Sequence, residues 1–454
     1  MKCLYKILLI TAVVLINLTT GYGQQTTSYK DSQITEMIKE ITSANLESNV
    51  RKMVSFGTRH TLSTRSDNDK GIGVACNWVK SELEKYSKDS GGRLEVKLDS
   101  VYLEPDGRRI IRKVLLTNVM ATLKGIDPND NRVFIVGGHL DSRNSEANDS
   151  VGTAPGANDD ASGVSAVLEL ARVMSKRNFP ATIIFVAFSG EEQGLNGSTF
   201  LAKKAKEQNW NVVAMLNNDM IGNTFSNETL LKDNMQVRVF SESIPQNETD
   251  AQKNIRQSTN AENDSPSRQL ARYIKEIGER YVDQLEVKLI YRNDRFLRGG
   301  DHTPFNRQGF TAVRFCERNE NYNYQHQNVR EENGIKYGDL PEYIDFEYTR
   351  KIASVNAAVL SSLALAPGAP QSVGVVISGL TNLTTLKWNT PQGKAPKGYF
   401  ILMRETYKPL WERKFFTDKT EIALPYSKDN YFFAVQSVDE DGHESLPVWP
   451  VPVR

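Results

Sequence analysis

Between residues 94 and 365, short apolar strands alternate with amphipathic helices, and this alternation constrains the fold more than any other sequence feature. Residues 133–136 and 182–188 are apolar runs typical of buried strands, whereas residues 162–175 place apolar side chains at helical spacing. This pattern predicts a largely parallel or mixed central sheet covered on both faces by helices, which is a three-layer α/β/α fold. Residues 241–265 interrupt it, and their polar composition predicts a solvated loop.

The helical period disappears after the Pro- and Gly-rich stretch at residues 366–370. Short alternating strands are predicted beyond it, at 383–388, 398–404, 421–424 and 431–438, and they indicate a small all-β sandwich. Trp388, Tyr399, Tyr431 and the polar stretch at 439–445 give this region a resemblance to a fibronectin type III module. We therefore expect one domain at 24–366 and a second at 370–454.

The first residues are typical of a signal peptide. Lys2 and Lys6 precede an apolar run at 7–18, and the small residues at 21–23 suit cleavage before Gln24. The run is short for a membrane-spanning helix, which needs about 20 apolar residues. We expect residues 1–23 to be removed and the mature chain to be periplasmic or extracellular, without stable membrane insertion. A permanent N-terminal anchor is the alternative.

Charge and cysteine content exclude several classes of function. The formal net charge is +1, which argues against binding to nucleic acid. Cys3 lies in the signal, so the mature chain keeps Cys76 and Cys316, which are compatible with one disulfide or with two buried thiols. Two cysteines cannot form a thiolate zinc site, and any metal must therefore be held by histidine and carboxylate side chains.

Histidine and acidic residues follow directly after several predicted strands. His139 and Asp141 come after one strand, Glu191 and Glu192 after the next, and Asp219 after a third. Asp159 lies in a loop that opens a helix, and His302 follows the strand near residue 290. Ligands bind at the carboxyl edge of the strands in open α/β sheets. We therefore expect these side chains to converge on a single site.

The residue types in this set suit zinc. Zinc accepts imidazole nitrogen and carboxylate oxygen, and two zinc ions about 3.5–4 Å apart can together activate a water molecule and polarise a carbonyl. A carboxylate that is not a ligand must then take the proton from the water. Glu191, beside the predicted ligand Glu192, is the candidate for this general base.

Taken as a series, these motifs resemble the co-catalytic zinc aminopeptidase family, within the zinc-dependent exopeptidases. The resemblance covers about residues 35 to 365 and rests on the order of His-Leu-Asp-Ser, Asn-Asp-Asp-Ala-Ser-Gly and Gly-Glu-Glu-Gln-Gly. It implies two zinc ions per chain, peptide or protein substrates, and the following roles: His139 and Asp219 on one zinc, Glu192 and His302 on the other, Asp159 bridging both, Glu191 as base, and Asp141 orienting His139.

Other interpretations stay open at this point. Asp159, Glu192 and Asp219 are also residue types of turns and helix caps, Glu191 could be a surface charge, and Asp160 is expected to start a helix rather than bind metal. A single-zinc glutaminyl cyclase, a carboxypeptidase or an endopeptidase could use the same fold. A non-enzymatic binding protein is a further alternative, in which the β module docks to glycan or protein and the α/β domain is a passive scaffold. In an enzyme, the module is expected to contact a surface or the substrate. His326, with Tyr322 and Tyr324, fits either a pocket wall or an ordinary aromatic loop.

Overall fold

A computed structural model describes residues 29–454, so the predicted signal peptide lies outside the described residues. The chain begins with two helices, Ser32–Lys39 and Ser43–Val54. The second is capped by Thr42, whose hydroxyl accepts a hydrogen bond from the backbone N–H of Asn45.

The centre of the first domain is an eight-stranded sheet in the order β1-β2-β4-β3-β5-β8-β6-β7. The pairs β4–β3, β3–β5, β5–β8 and β6–β7 are parallel, whereas β1–β2, β2–β4 and β8–β6 are antiparallel. The sheet is therefore mixed, as predicted. Its strands are β1 (Leu94–Leu103), β2 (Val114–Leu123), β3 (Arg132–His139), β4 (Thr182–Phe188), β5 (Asn211–Asn218), β6 (Gln236–Ser241), β7 (Glu286–Ile290) and β8 (Ala312–Glu317).

Helices cover both faces of this sheet. Alternate side chains of each central strand point to opposite faces: Phe134 and Val136 of β3 belong to one core, and Ile135 to the other. The larger core packs against helices Ser43–Val54, Ile72–Asp89, Ser162–Met174, Pro266–Tyr281 and Phe346–Leu365, and the smaller against Asn196–Glu207 and His302–Arg307. This is the predicted three-layer α/β/α architecture.

A β hairpin, β9 (Arg330–Glu332) and β10 (Ile335–Tyr337), precedes the last helix, and a separate all-β region follows it. One sheet has the order β15-β12-β11-β17 and the other β14-β13-β16, and Trp388, Ile401 and Val435 share one core between them. The likeness to a fibronectin type III module stays a prediction. The strands are β11 (Gln371–Val376), β12 (Thr384–Asn389), β13 (Gly398–Glu405), β14 (Arg413–Thr417), β15 (Glu421–Leu424), β16 (Tyr431–Val438) and β17 (Val451–Val453).

The polar segment 241–265 is largely exposed to solvent, as its composition predicts, but it is not a loop throughout. It contains the helix Asp250–Thr259, whose first turn is closed by reciprocal hydrogen bonds between Thr249 and Gln252. At its end, Asp264 is buried against the β module, with ion pairs to Arg272 at 2.8 Å and to Arg404 at 2.6 Å. Contact with water therefore explains the polar composition of the helix, which has no buried residue, whereas paired charges at a domain interface explain the buried Asp264.

Cys76 and Cys316 are both buried free thiols, which decides between the two states that the sequence left open. Between residues 29 and 454, no helix has the length and apolar character that a membrane crossing requires.

Candidate metal centre

Four neighbouring strands bring the site together at one edge of the sheet. His139 is the last residue of β3, Asp219 follows β5, and Glu191 and Glu192 follow β4. These three strands are parallel neighbours, so their carboxyl ends lie side by side. His326 lies beyond β8, which pairs with β5 in the same direction.

The side chains form two groups of possible metal ligands. His139, Glu191 and Asp219 make up the first group, and Asp159, Glu192 and His326 the second. Within each group, one donor atom from each residue lies within 4.8 Å of the others. Imidazole nitrogen and carboxylate oxygen are the donors that zinc accepts, so the residues present fit this metal.

Asp159 lies between the two imidazoles. Its Oδ1 is 3.0 Å from Nε2 of His139, and its Oδ2 is 2.9 Å from Nε2 of His326. The backbone N–H of Asp159 donates to Oδ2 of Asp339 at 2.8 Å, and the side chain of Gln325 donates to Oδ2 of Asp159 at 3.1 Å. One oxygen of this carboxylate thus faces each histidine, as a bridging ligand requires.

Asp141 orders both halves of the site. Nδ1 of His139 lies 3.0 Å from the backbone oxygen of Asp141, so a proton on Nδ1 leaves the lone pair of Nε2 free for a metal. The carboxylate of Asp141 is farther away, at 3.8 Å from Nδ1, and instead accepts from the backbone N–H groups of Glu191 and Glu192. Asp141 thereby orients His139 through its main chain and the two glutamates through its side chain.

Asp160 is a structural residue of the site. Its Oδ2 accepts from the backbone N–H of His139 at 2.9 Å, and its Oδ1 accepts from those of Gly163 at 2.9 Å and Met220 at 3.2 Å. The contact with Gly163, three residues on, is typical of a helix start. The side chain therefore ties three segments of the site together rather than offering an oxygen to a metal.

His302 is placed elsewhere, and this corrects the ligand set drawn from the sequence. It is buried, with Nε2 at 2.8 Å from the backbone oxygen of Asn293 and 3.7 Å from Asp294, and it belongs to neither ligand group. The strand before it, β7, lies at the edge of the sheet, three positions from β5. His326, which follows β8, the immediate neighbour of β5, lies in the second group of possible ligands instead.

Two arginines compensate the acidic groups. Arg314 is fully buried, with Nη2 at 2.7 Å from Oδ1 of Asp219 and Nη1 at 3.1 Å from Asp294. Arg143 lies beside the second group, with Nε at 3.3 Å from Oε2 of Glu192. The sequence patterns pointed to neither residue, because arginines in a strand or a loop are common and carry no motif.

Burial and neighbouring charges shift the pKa values of three side chains in the site. Burial alone would raise the pKa of Asp219, but Arg314 and His139 hold it below its usual value. Burial lowers the pKa of His326, yet Glu192 and Asp159 bring it up to about 9. Burial raises the pKa of Glu191 well above its usual value, against the attraction of His139 and with the repulsion of Glu192.

A third set, Asp439, Asp441 and His443 in the β module, has metal-like spacing but a different role. The two ring nitrogens of His443 each lie 2.9 Å from a carboxylate, of Asp439 and of Asp31, and Lys394 lies 2.6 Å from Asp439. These contacts use the ring nitrogens of His443 and the carboxylate of Asp439, and they connect the N-terminal segment to the module. His60, also buried, lies 3.1 Å from the backbone oxygen of Ala147 and outside both ligand groups.

The chain is similar to known proteins both in sequence and in fold. Residues 118–345 match Peptidase family M28. The chain is 43% identical over 423 residues to a probable zinc metalloprotease of Leptosphaeria maculans, covering 93% of this chain and 97% of that protein. It is 42% identical over 427 residues to another from Pyrenophora tritici-repentis, covering 93% and 98%. The Legionella pneumophila LapA aminopeptidase has the same fold, with a TM-score of 0.52 at 21% identity over 75% of this chain and 78% of that one.

Proposed function

The chain belongs to peptidase family M28 and is a zinc metallopeptidase, and we propose that it is an aminopeptidase that works with two zinc ions. The observation that carries the two-metal proposal is the position of Asp159. Its two carboxylate oxygens face two different imidazoles at 3.0 and 2.9 Å, which a single-metal site does not need.

The ligand assignment follows from the two groups. His139 and Asp219 would hold one zinc ion, Glu192 and His326 the other, and Asp159 would contact both. Zinc in these positions would lower the pKa of a water molecule and polarise the scissile carbonyl. Each ion would then have one imidazole and one carboxylate of its own, together with one oxygen of the shared carboxylate.

Glu191 is the group that moves the proton. It lies in the first ligand group but is not needed to complete either ligand set, which leaves its carboxylate free to act as a base. It takes a proton from the attacking water as the water oxygen bonds to the carbonyl carbon. It returns that proton to the amide nitrogen as the C–N bond breaks, so that the products are a carboxylic acid and a free amine.

Preference for a free N-terminus is supported by the sequence motifs, whose order resembles that of the zinc aminopeptidases. LapA, which shares the fold, is an aminopeptidase. Export to the periplasm or the extracellular space is proposed from the predicted signal at residues 1–23.

Zinc content and substrate range together test the proposal. Purified protein is expected to hold two zinc ions and to hydrolyse aminoacyl substrates but not the same substrates with a blocked amine. Glu191→Gln should keep both ions and lose hydrolysis. One zinc ion in the wild type, with pyroglutamate as the product, would instead establish a cyclase, and cleavage of N-blocked peptides would establish a different peptidase type.

A matched pair of variants tests the ligand assignment. Glutamine can present a nitrogen close to the position of histidine Nε2, so His302→Gln can still donate to the backbone oxygen of Asn293 and is expected to keep two zinc ions. His326→Gln removes the imidazole of the second group, and we expect about one ion per chain. The reverse result would return His302 to the ligand set.

A further inference from the structure

Arg143 is the cationic side chain that reaches the second ligand group. It lies four residues after His139, in the loop that follows β3. Its Nη2 is 2.9 Å from Nδ1 of His326, and its Nε is 3.3 Å from Oε2 of Glu192. A single guanidinium thus contacts two side chains that we assign to one metal ion.

The contact with His326 is incompatible with metal binding. Nε2 of His326 faces Oδ2 of Asp159 at 2.9 Å and Oε1 of Glu192 at 2.8 Å, so this is the nitrogen that a metal would occupy. A neutral imidazole that binds metal through Nε2 carries its proton on Nδ1. Arginine can only donate, so it cannot hydrogen-bond to a protonated Nδ1, and the Nη2 contact must break when metal binds.

Arg143 lies on the more exposed side of the site. The side chains of Arg143 and His326 are 17% and 24% exposed, whereas those of His139 and Asp219 are 1% and 3% exposed. The site therefore opens to solvent on the side of Arg143, where a substrate would enter. Arg314, on the opposite side, is fully buried and held between Asp219 and Asp294, so it cannot reach a substrate.

From this geometry we propose that Arg143 is a catalytic residue that donates hydrogen bonds to the carbonyl oxygen of the substrate; the inference rests on the two-metal function proposed above. As the water oxygen bonds to the carbonyl carbon, the C=O π electrons move to the carbonyl oxygen, and the guanidinium stabilises that negative charge. Arg143 stays protonated throughout, since Glu191 carries the transferred proton. Its contact with Glu192 keeps the guanidinium beside the metal pair.

The kinetics of Arg143 variants, measured on zinc-replete protein, test this role. For Arg143→Met we expect kcat to fall about a hundredfold, as for loss of one oxyanion donor, with KM changed less than about threefold. An inhibitor with a tetrahedral phosphonate in place of the scissile amide should lose a similar factor in affinity. Arg143→Lys keeps the charge and is expected to recover at least about tenfold in kcat over Arg143→Met.

Zinc analysis of the same variants separates this role from a structural one. We expect two zinc ions in both variants, because the Nη2 contact is already absent in the metal-bound state. Arg330→Met is the matched control: Arg330 pairs with Glu332 on the surface hairpin, four residues from His326, and its loss should leave kcat unchanged.

Several outcomes would overturn the proposal. They are an unchanged kcat in Arg143→Met, a loss of kcat that excess zinc restores, an increase in KM alone, unaltered phosphonate affinity, or an Arg143→Lys variant no better than Arg143→Met. Failure of the underlying function looks different, since wild-type protein would then hold fewer than two zinc ions or hydrolyse no free-amine substrate.

Discussion

Asp264 connects the peptidase domain to the β module, and its replacement should destabilise the whole chain. Its carboxylate contacts Arg272 of the same domain and Arg404 of the module, and all three side chains are at most 3% exposed. Arg272 also donates to the backbone oxygen of Pro409 in the module at 2.7 Å. Asp264→Asn would leave two arginine charges buried at the interface without their anionic partner.

The expected cost follows from this burial. Removing one partner of a buried ion pair typically costs 3–5 kcal/mol, because the remaining charge is uncompensated. An unfolding entropy of about 2.1 cal/mol/K per residue, over roughly 426 described residues, amounts to about 0.9 kcal/mol/K. A loss of about 4 kcal/mol then lowers Tm by about 4–5 °C. Arg404→Met should cost less, since Asp264 keeps its bond to Arg272.

Scanning calorimetry is the suitable assay, because it shows whether the two domains unfold together. We expect one transition in the wild type and a lower Tm in Asp264→Asn. Adding Arg404→Met to Asp264→Asn should cost little more than Asp264→Asn alone, since both changes disrupt the same cluster. Glu347→Gln is the control, because Glu347 pairs with Arg350 at the surface and exposed pairs contribute about 0–1 kcal/mol.

The reasoning is refuted if Asp264→Asn shifts Tm no more than Glu347→Gln does. It is also refuted if the wild type shows two separate transitions, with the module unfolding independently. Either result would mean that the ion pairs seen at the interface contribute little to the docking of the module.

Two further predictions concern a buried acid and a ligand-orienting acid. Burial raises the pKa of Glu242 to about 7 from its ordinary 4.5, so the folded state holds this proton more tightly and stability is lost as pH rises from about 4.5 to 7. Glu242→Gln should therefore match the wild type in urea unfolding near pH 4 and exceed it by about 3 kcal/mol at pH 8; a constant difference across pH would contradict this. Asp141→Asn weakens the hydrogen bonds that the side chain accepts from the backbone N–H groups of Glu191 and Glu192. We expect zinc affinity to fall about 10- to 100-fold in a chelator competition, and an unchanged affinity would rule out the orienting role.

The regular helices and strands could be predicted from the sequence, because burial of one face repeats apolar residues at the period of a helix or a strand. Residues 182–188 and 421–424 form strands with the predicted bounds, and the helix expected at 162–175 ends only one residue earlier. The short strands β11, β14 and β17 were not predicted. They are half-exposed, and one contains a proline, so neither an apolar run nor strict alternation marks them.

The ligand set shows which part of the site a local sequence pattern cannot predict. His139, Asp159, Glu192 and Asp219 come together as expected, because the parallel strands that place them are adjacent. His302 also follows a strand, and the sequence Gly-Gly-Asp-His that contains it has the form of a ligand motif. The order of strands in the sheet decides between His302 and His326, and that order is set by long-range packing that a local pattern does not contain.

The compensating cations were beyond prediction for a related reason. Four carboxylates within a buried site repel one another unless positive charge lies nearby, so a chain that keeps this set folded before metal binds needs cations beside it. Electrostatics requires such charges but does not specify which segment supplies them. Here one comes from Arg314, fully buried in β8, and another from Arg143, partly exposed in a loop. The difference in exposure separates Arg314, which is held beside Asp219, from Arg143, which we propose donates to the substrate.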